Sequence, residues 1–184
     1  MKNAIILHGT SNSVDDNWFP WLKEELLKKG YKVWIPTLPD SNKPNIEKYN
    51  NFIFPKWEFD SDSVLIGHSS GAVAILGILE NLPEGVVVDC AILVAGFKDN
   101  EDLKWASLKE LFERPFQWEK IRTHCKKFII LHSDNDPYVS LRHAQHLAEK
   151  LKGQLVIFKD QKHFSVTTMG EIYRRFPQIL EYIP

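Results

Sequence analysis

Cysteine is nearly absent: the 184 residues hold two, Cys90 and Cys125. Two thiols make no disulfide framework, and both fall in apolar, strand-like runs, so they are expected as buried reduced thiols. An excess of charge is missing as well. Lys and Arg number 23 against 24 Asp and Glu, for a net charge of −1. Without a basic face no nucleic-acid partner is expected, and without a block of like charges no charged tail. Long apolar runs are also lacking. The longest are strand-length, far short of the roughly 20 residues a membrane helix needs, so no membrane partner is expected. The opening MKNAIILHGTS carries one Lys and an apolar stretch too short for a signal peptide, and a cytoplasmic location is expected. There is no repeat, low-complexity tract or linker. With 43% hydrophobic residues the chain suits one domain, 1–184, with a sizeable core.

What is present is an alternation. Short β-branched apolar runs lie at 4–7, 31–35, 63–66, 86–94, 128–131 and 155–158. Most are continuous, as in strands buried on both faces of a parallel sheet. Helical patterns lie between them. The stretch 18–29 carries Trp18, Trp21, Leu22 and Leu26 on one stripe and stops at Gly30. Further helices are expected over 46–57 (broken by Pro55), 70–82, 101–112, 141–151 (capped by Ser140 and ending at Gly153) and 172–182. Strand and helix in turn predict a three-layer α/β/α sandwich with right-handed crossovers.

One corner of this pattern is chemically distinctive. In DSVLIGHSSGAVAILGILENL an apolar strand turns through Gly67-His68-Ser69-Ser70-Gly71 into a helix. Strand, glycine-flanked turn and helix is the context in which G-x-S-x-G forms a nucleophile elbow. The central serine is forced to the apex, and its neighbours must be small. The helix N-terminus behind it favours developing negative charge. Ser69 is therefore the candidate nucleophile, and the Ser70 backbone N–H an oxyanion donor. The plainer alternative is a βα turn with Ser69 as an N-cap.

A serine hydroxyl needs a base, and the base an orienting acid, in the chain order Ser, acid, His. Of the downstream histidines, His124 precedes a strand, and His143 and His146 sit on a helix. His132 ends a strand. His163, in the loop KDQKHFSVTT after the last strand, is the candidate base. For the acid, LHSDNDPYVS offers Asp134 and Asp136, and the residues alone leave the choice open. The second oxyanion N–H is expected from the loop after the first strand, where His8-Gly9 lets the backbone come close. Thr10 is the candidate and Ser11 the runner-up. Trp18, Trp21, Phe97 and Phe164 are candidates to line the site, although residues on a helix stripe such as Trp18 and Trp21 are more often core.

HGT…W..WL, LIGHSSGA, SDNDPYVS and KHF, in this order and spacing, resemble the small cap-less α/β-hydrolases of the retinoblastoma-binding-protein-nine type. The resemblance covers essentially the whole chain. It implies a Ser-Asp-His serine hydrolase with six parallel strands in the order 2-1-3-4-5-6. It also selects Asp136, since the family pattern places the acid before a Pro-aromatic-Val stretch, here Asp136-Pro137-Tyr138-Val139. Two positions depart from it: Lys162 stands where a Gly often precedes the catalytic His, and Ser140 where a Pro commonly follows the Val. Retinoblastoma protein is bound through L-x-C-x-E motifs. Neither cysteine sits in one, so no such partner is expected.

The expected activity is hydrolysis of small acyl esters through Ser69, Asp136 and His163, with the backbone N–H groups of Thr10 and Ser70 holding the oxyanion. No cofactor and no metal are expected. A metal-dependent hydrolase would draw on His8, His132, Asp134, Asp136 and His163, or on the helical pair His143 and His146, but these match no strong ligand template. The other alternative is a weak or inactive hydrolase fold serving as a binding module.

Overall fold

The computed structural model describes residues 1–101 and 103–184. Six strands form one sheet: β1 (Asn3–Leu7), β2 (Lys32–Trp34), β3 (Ser63–His68), β4 (Val88–Val94), β5 (Cys125–Ser133) and β6 (Gln154–Phe158). Their order is β2-β1-β3-β4-β5-β6, and every neighbouring pair is parallel. This is the expected order.

The apolar runs are continuous because both faces of the sheet are covered. Along β1, Ala4 and Ile6 point to one layer, while Ile5 and Leu7 point to the other. The first layer holds α1 (Phe19–Lys28) through Phe19, Leu22 and Leu26, together with Phe176 and Ile179 from the C-terminal turns. The second holds α2 (Ile46–Ile53), α3 (Ser70–Asn81), α4 (Trp118–Thr123) and α5 (Leu141–Leu151). The helix α3 is apolar all round and buried almost throughout, as a helix on the central strands must be. Cys90 and Cys125 are buried and unpaired, and burial pushes both thiols up to about 12.

Four segments depart from expectation. The helix expected over 101–112 forms only as a 3-10 segment, Ala106–Phe112; Asp102 lies outside the described residues. Trp105 ahead of it is extended and meets the Tyr138 ring edge-on, so the helical path starts after it. The helix expected over 172–182 is two 3-10 turns, Glu171–Arg174 and Pro177–Tyr182. Pro177 disfavours the α conformation at Phe176, which sits at φ −137°. Two short helices, α4 and α6 (Val166–Met169), add to the expected set. Among the described residues, no helix is long and apolar enough to cross a membrane.

Parallel register aligns the carboxyl ends of the strands. Leu7 lies beside Gly67, His68 beside Val94, and Ser133 beside Phe158. The loops that leave β1, β3, β4, β5 and β6 therefore open on one rim, where open α/β sheets form their sites.

Candidate active site

The turn after β3 is sharp. Ser69 sits at φ 56° and ψ −122°, a left-handed conformation that a non-glycine residue adopts only when its surroundings impose it. Its N–H donates to the Val94 carbonyl at 2.9 Å, and its carbonyl accepts from Ala72 N–H at 3.0 Å. The flanking glycines are demanded by space. A Cβ on Gly67 would stand 2.6 Å from the backbone of Gly71, and one on Gly71 would run into the carbonyls of Leu7 and His8. The Ser69 side chain makes no capping bond to α3. The N-cap role is thus not what this hydroxyl does.

Asp136 and His163 meet from different loops. His163 Nδ1 is 2.7 Å from Asp136 Oδ2, and both side chains are almost fully buried. The other carboxylate oxygen of Asp136 accepts from Tyr138 N–H at 2.9 Å and Val139 N–H at 3.0 Å. Burial raises the affinity of this carboxyl for a proton. The His163 hydrogen bond and charge and the two backbone donors outweigh it, and the group is held below the usual aspartate range. Asp134 points elsewhere: it is exposed and accepts from Asp160 N–H at 2.9 Å.

The loop that carries His163 is tightly bent. Asp160, Lys162 and Phe164 all have positive φ. Lys162, at φ 44°, holds a left-handed backbone, the conformation that glycine adopts without steric cost. Side chains from elsewhere hold the loop. Ser133 accepts from Gln161 N–H, Asn135 from Lys162 N–H, and Asn17 from Val166 N–H, while Trp18 Nε1–H donates to the Phe164 carbonyl.

After β1, the Gly9 carbonyl accepts from His8 Nδ1–H at 2.9 Å and from Asn12 N–H at 3.2 Å. That carbonyl and the Thr10 N–H belong to one trans peptide and point in opposite directions, so anchoring one aims the other. Ser11 N–H is occupied by the Ser41 carbonyl at 3.1 Å, which removes it as an oxyanion donor. The Thr10 hydroxyl donates to the Ser70 hydroxyl at 2.8 Å and links the two loops that carry the remaining candidate N–H groups.

Ser69 and His163 line one pocket of about 300 Å³. Thr10, Ser11, Asn12, His68, Ser165 and Thr167 are its other polar lining residues, and Phe97, Leu103, Trp105, Leu108 and Val139 its apolar ones. Tyr138 also lines it, with its ring edge-on to His163 at 5.1 Å. Among the described residues no hydrogen bond joins the Ser69 hydroxyl to His163 or to another protein group, whereas His163 is bonded to Asp136.

Of the expected lining residues only Phe97 faces the pocket. Trp18 and Phe164 are fully buried in the core, and Trp21 lies under Arg175 instead. Leu103, Trp105 and Leu108 were not anticipated. They come from the connection after β4, whose sequence shows amphipathic spacing but no cue to a cavity. Among the described residues, no three His, Cys, Asp or Glu side chains gather as a metal-ligand set.

Residues 4–183 match the family model described as serine hydrolase. The chain is 28% identical over 174 residues to serine hydrolase RBBP9 of Rattus norvegicus, covering 93% of this chain and 91% of that protein. It is 30% identical over 165 residues to the putative hydrolase YdeN of Bacillus subtilis, covering 89% and 86%. The crystal structure of the B. subtilis ydeN gene product superposes with a TM-score of 0.90, covering 99% of this chain and 96% of that one.

Proposed function

The chain belongs to the serine hydrolase family, and on that premise we propose that it cleaves small acyl esters through Ser69, Asp136 and His163. The observation that carries this reading is the buried 2.7 Å pair of Asp136 and His163, which shares one pocket with the strained Ser69. A structural ion pair has no need to open on a cavity beside an elbow serine.

His163 Nδ1–H donates to Asp136, which leaves Nε2 as the basic nitrogen. Nε2 takes the proton of Ser69 as Oγ attacks the ester carbonyl. Asp136 holds the imidazole in that tautomer and stabilises its charge when protonated. The oxyanion is received by the N–H groups of Thr10 and Ser70. His163 returns the proton to the departing alcohol, and water deacylates Ser69 by the same route. The acyl group rests against the apolar lining residues Phe97, Leu103, Trp105 and Leu108, which suit an uncharged chain or ring.

The test is p-nitrophenyl ester turnover together with fluorophosphonate labelling. Wild type should label at Ser69, and Ser69→Ala should lose labelling and on the order of 10⁴-fold or more in kcat. Turnover near wild type in Ser69→Ala would refute the reading. A wild-type chain that neither labels nor turns over ester would instead favour a binding module.

A further inference from the structure

Two buried histidines at the carboxyl ends of central strands have no part in the proposed chemistry. His68 closes β3 immediately before Ser69, and His132 is next to last in β5. Neither is more than 1% exposed. Each uses one nitrogen in the same way. His68 Nε2 is 2.8 Å from the carbonyl of His163, and His132 Nε2 is 2.9 Å from the carbonyl of Val139. A carbonyl only accepts, so both imidazoles carry the proton on Nε2. Each Nδ1 is buried without a hydrogen-bond partner.

An orphaned buried nitrogen costs stability, because it gives up its hydrogen bond to water and gains none in return. Around His68 the neighbours are the rings of Trp18, Phe19 and His163. A leucine would fill such a space without an orphan. What the imidazole supplies and leucine cannot is the Nε2–H. The two carbonyls it reaches are not arbitrary. One belongs to His163 itself, between two residues of positive φ, Lys162 and Phe164. The other belongs to Val139, whose own N–H holds Asp136 Oδ1. We propose that His68 and His132 are positioning residues that clamp the base loop and the acid loop to the sheet, and so fix His163 relative to Ser69. Burial, the largest influence on each, lowers the proton affinity of both rings and keeps them neutral at physiological pH.

The kinetic arm of the test rests on the triad reading above; the spectroscopic arm does not. For each site the pair is Leu, which fills the space without a donor, and Gln, whose amide can place an N–H near the position of Nε2. His68→Leu and His132→Leu should lower kcat for p-nitrophenyl acetate about tenfold to a hundredfold, the scale of a misplaced catalytic group. For His132→Leu, which lies outside the pocket lining, KM should change by less than about twofold; His68 itself lines the pocket, so KM of His68→Leu is read against that of His68→Gln. The acid limb of kcat/KM should shift, and His68→Gln and His132→Gln should recover most of the loss. Equal losses in Leu and Gln, or a Leu variant with wild-type kcat and acid limb, would overturn the proposal.

In nitrogen-15 NMR, wild type should show both rings as neutral Nε2–H tautomers at pH 7. His68→Leu should displace the amide signals of 160–166. A different tautomer in wild type, or unmoved 160–166 signals in His68→Leu, would overturn the proposal even if no variant turned over ester. If the Leu variants do not fold, the wild-type tautomers and the Gln variants decide it. A wild type inert to ester and fluorophosphonate refutes the hydrolase reading, while the spectra still decide the clamp.

Discussion

Asp134 and Asp136 stand two residues apart on one loop, and their side chains take opposite courses. Asp136 turns inward because one of its oxygens is fixed by the N–H groups of Tyr138 and Val139, which leaves the other aimed at His163. Asp134 is turned outward to Asp160. Spacing alone could not separate them, since the decision lies in how the backbone after Pro137 folds back on the carboxylate. Ser11 shows the same limit: only the path of the loop puts Ser41 against its N–H. The two aspartates therefore give a discriminating experiment. Asp136→Asn removes the acceptor that sets the His163 tautomer and should lower kcat by about 10⁴-fold. Asp134→Asn keeps an acceptor for Asp160 N–H and should leave kcat within about twofold, as an exposed site away from the pocket does. Steady-state kinetics on both variants, with thermal melts to show that they remain folded, checks the assignment. A collapse in Asp134→Asn with Asp136→Asn intact would reverse it.

Among the elements, the β3–α3 elbow was the most legible, because each of its requirements names a residue type. A strand must enter, a helix must leave, and the close approaches at Gly67 and Gly71 forbid a side chain. The strand runs were legible for a similar reason, since burial on both faces demands continuous Val, Ile and Leu. Less legible were elements decided by packing: α4 has six residues and α6 four, too few to show a 3.6-residue period. The 3-10 segment Ala106–Phe112 carries an amphipathic pattern that reads as an α-helix, and the extended Trp105 shortens it. The elbow permits a prediction about an element rather than an atom. Gly71→Ala forces a Cβ against the ends of β1, so α3 and β1 must separate. The cost should be about 1–3 kcal/mol, and the melting temperature should fall by about 2–4 °C for each kcal/mol in a chain of this size. Fluorophosphonate labelling of Ser69 should fall with it, because the N-terminus of α3 moves relative to Thr10. A melt and a labelling rate at wild-type values would show that the contact is dispensable.

At the scale of the whole molecule, the parallel register is what gathers residues 10, 69, 136 and 163 from distant parts of the chain onto one rim. It also buries a set of histidines beneath that rim, and these should set the acid stability of the fold. Desolvation lowers the pKa of His68 to about 3, with the charge of His163 adding to the effect against the pull of Asp136 and the His163 carbonyl. His8 and His132 are lowered as well, again chiefly by burial. In the unfolded chain all three return to about 6.5. Above that value they are neutral in both states and contribute no pH dependence. Below it the unfolded chain takes up protons that the folded chain refuses, so stability falls as pH falls, and for His68 it keeps falling until about 3. Asp136, held below its usual range, adds a further loss once pH drops through the ordinary carboxylate region, where the unfolded chain gains a proton first. Each proton difference is worth about 1.4 kcal/mol per pH unit. Three histidines together thus set a ceiling of roughly 4 kcal/mol per pH unit just below their unfolded value, and His68 alone carries about 1.4 kcal/mol per pH unit on toward 3. Urea unfolding followed from pH 8 downward should show a level midpoint to about pH 7 and then a steepening decline. His68→Gln, which cannot titrate, should remove up to one proton from that slope. A midpoint unchanged between pH 7 and 5 would mean that these imidazoles accept protons in the folded protein, and that burial beneath the rim does not keep them neutral.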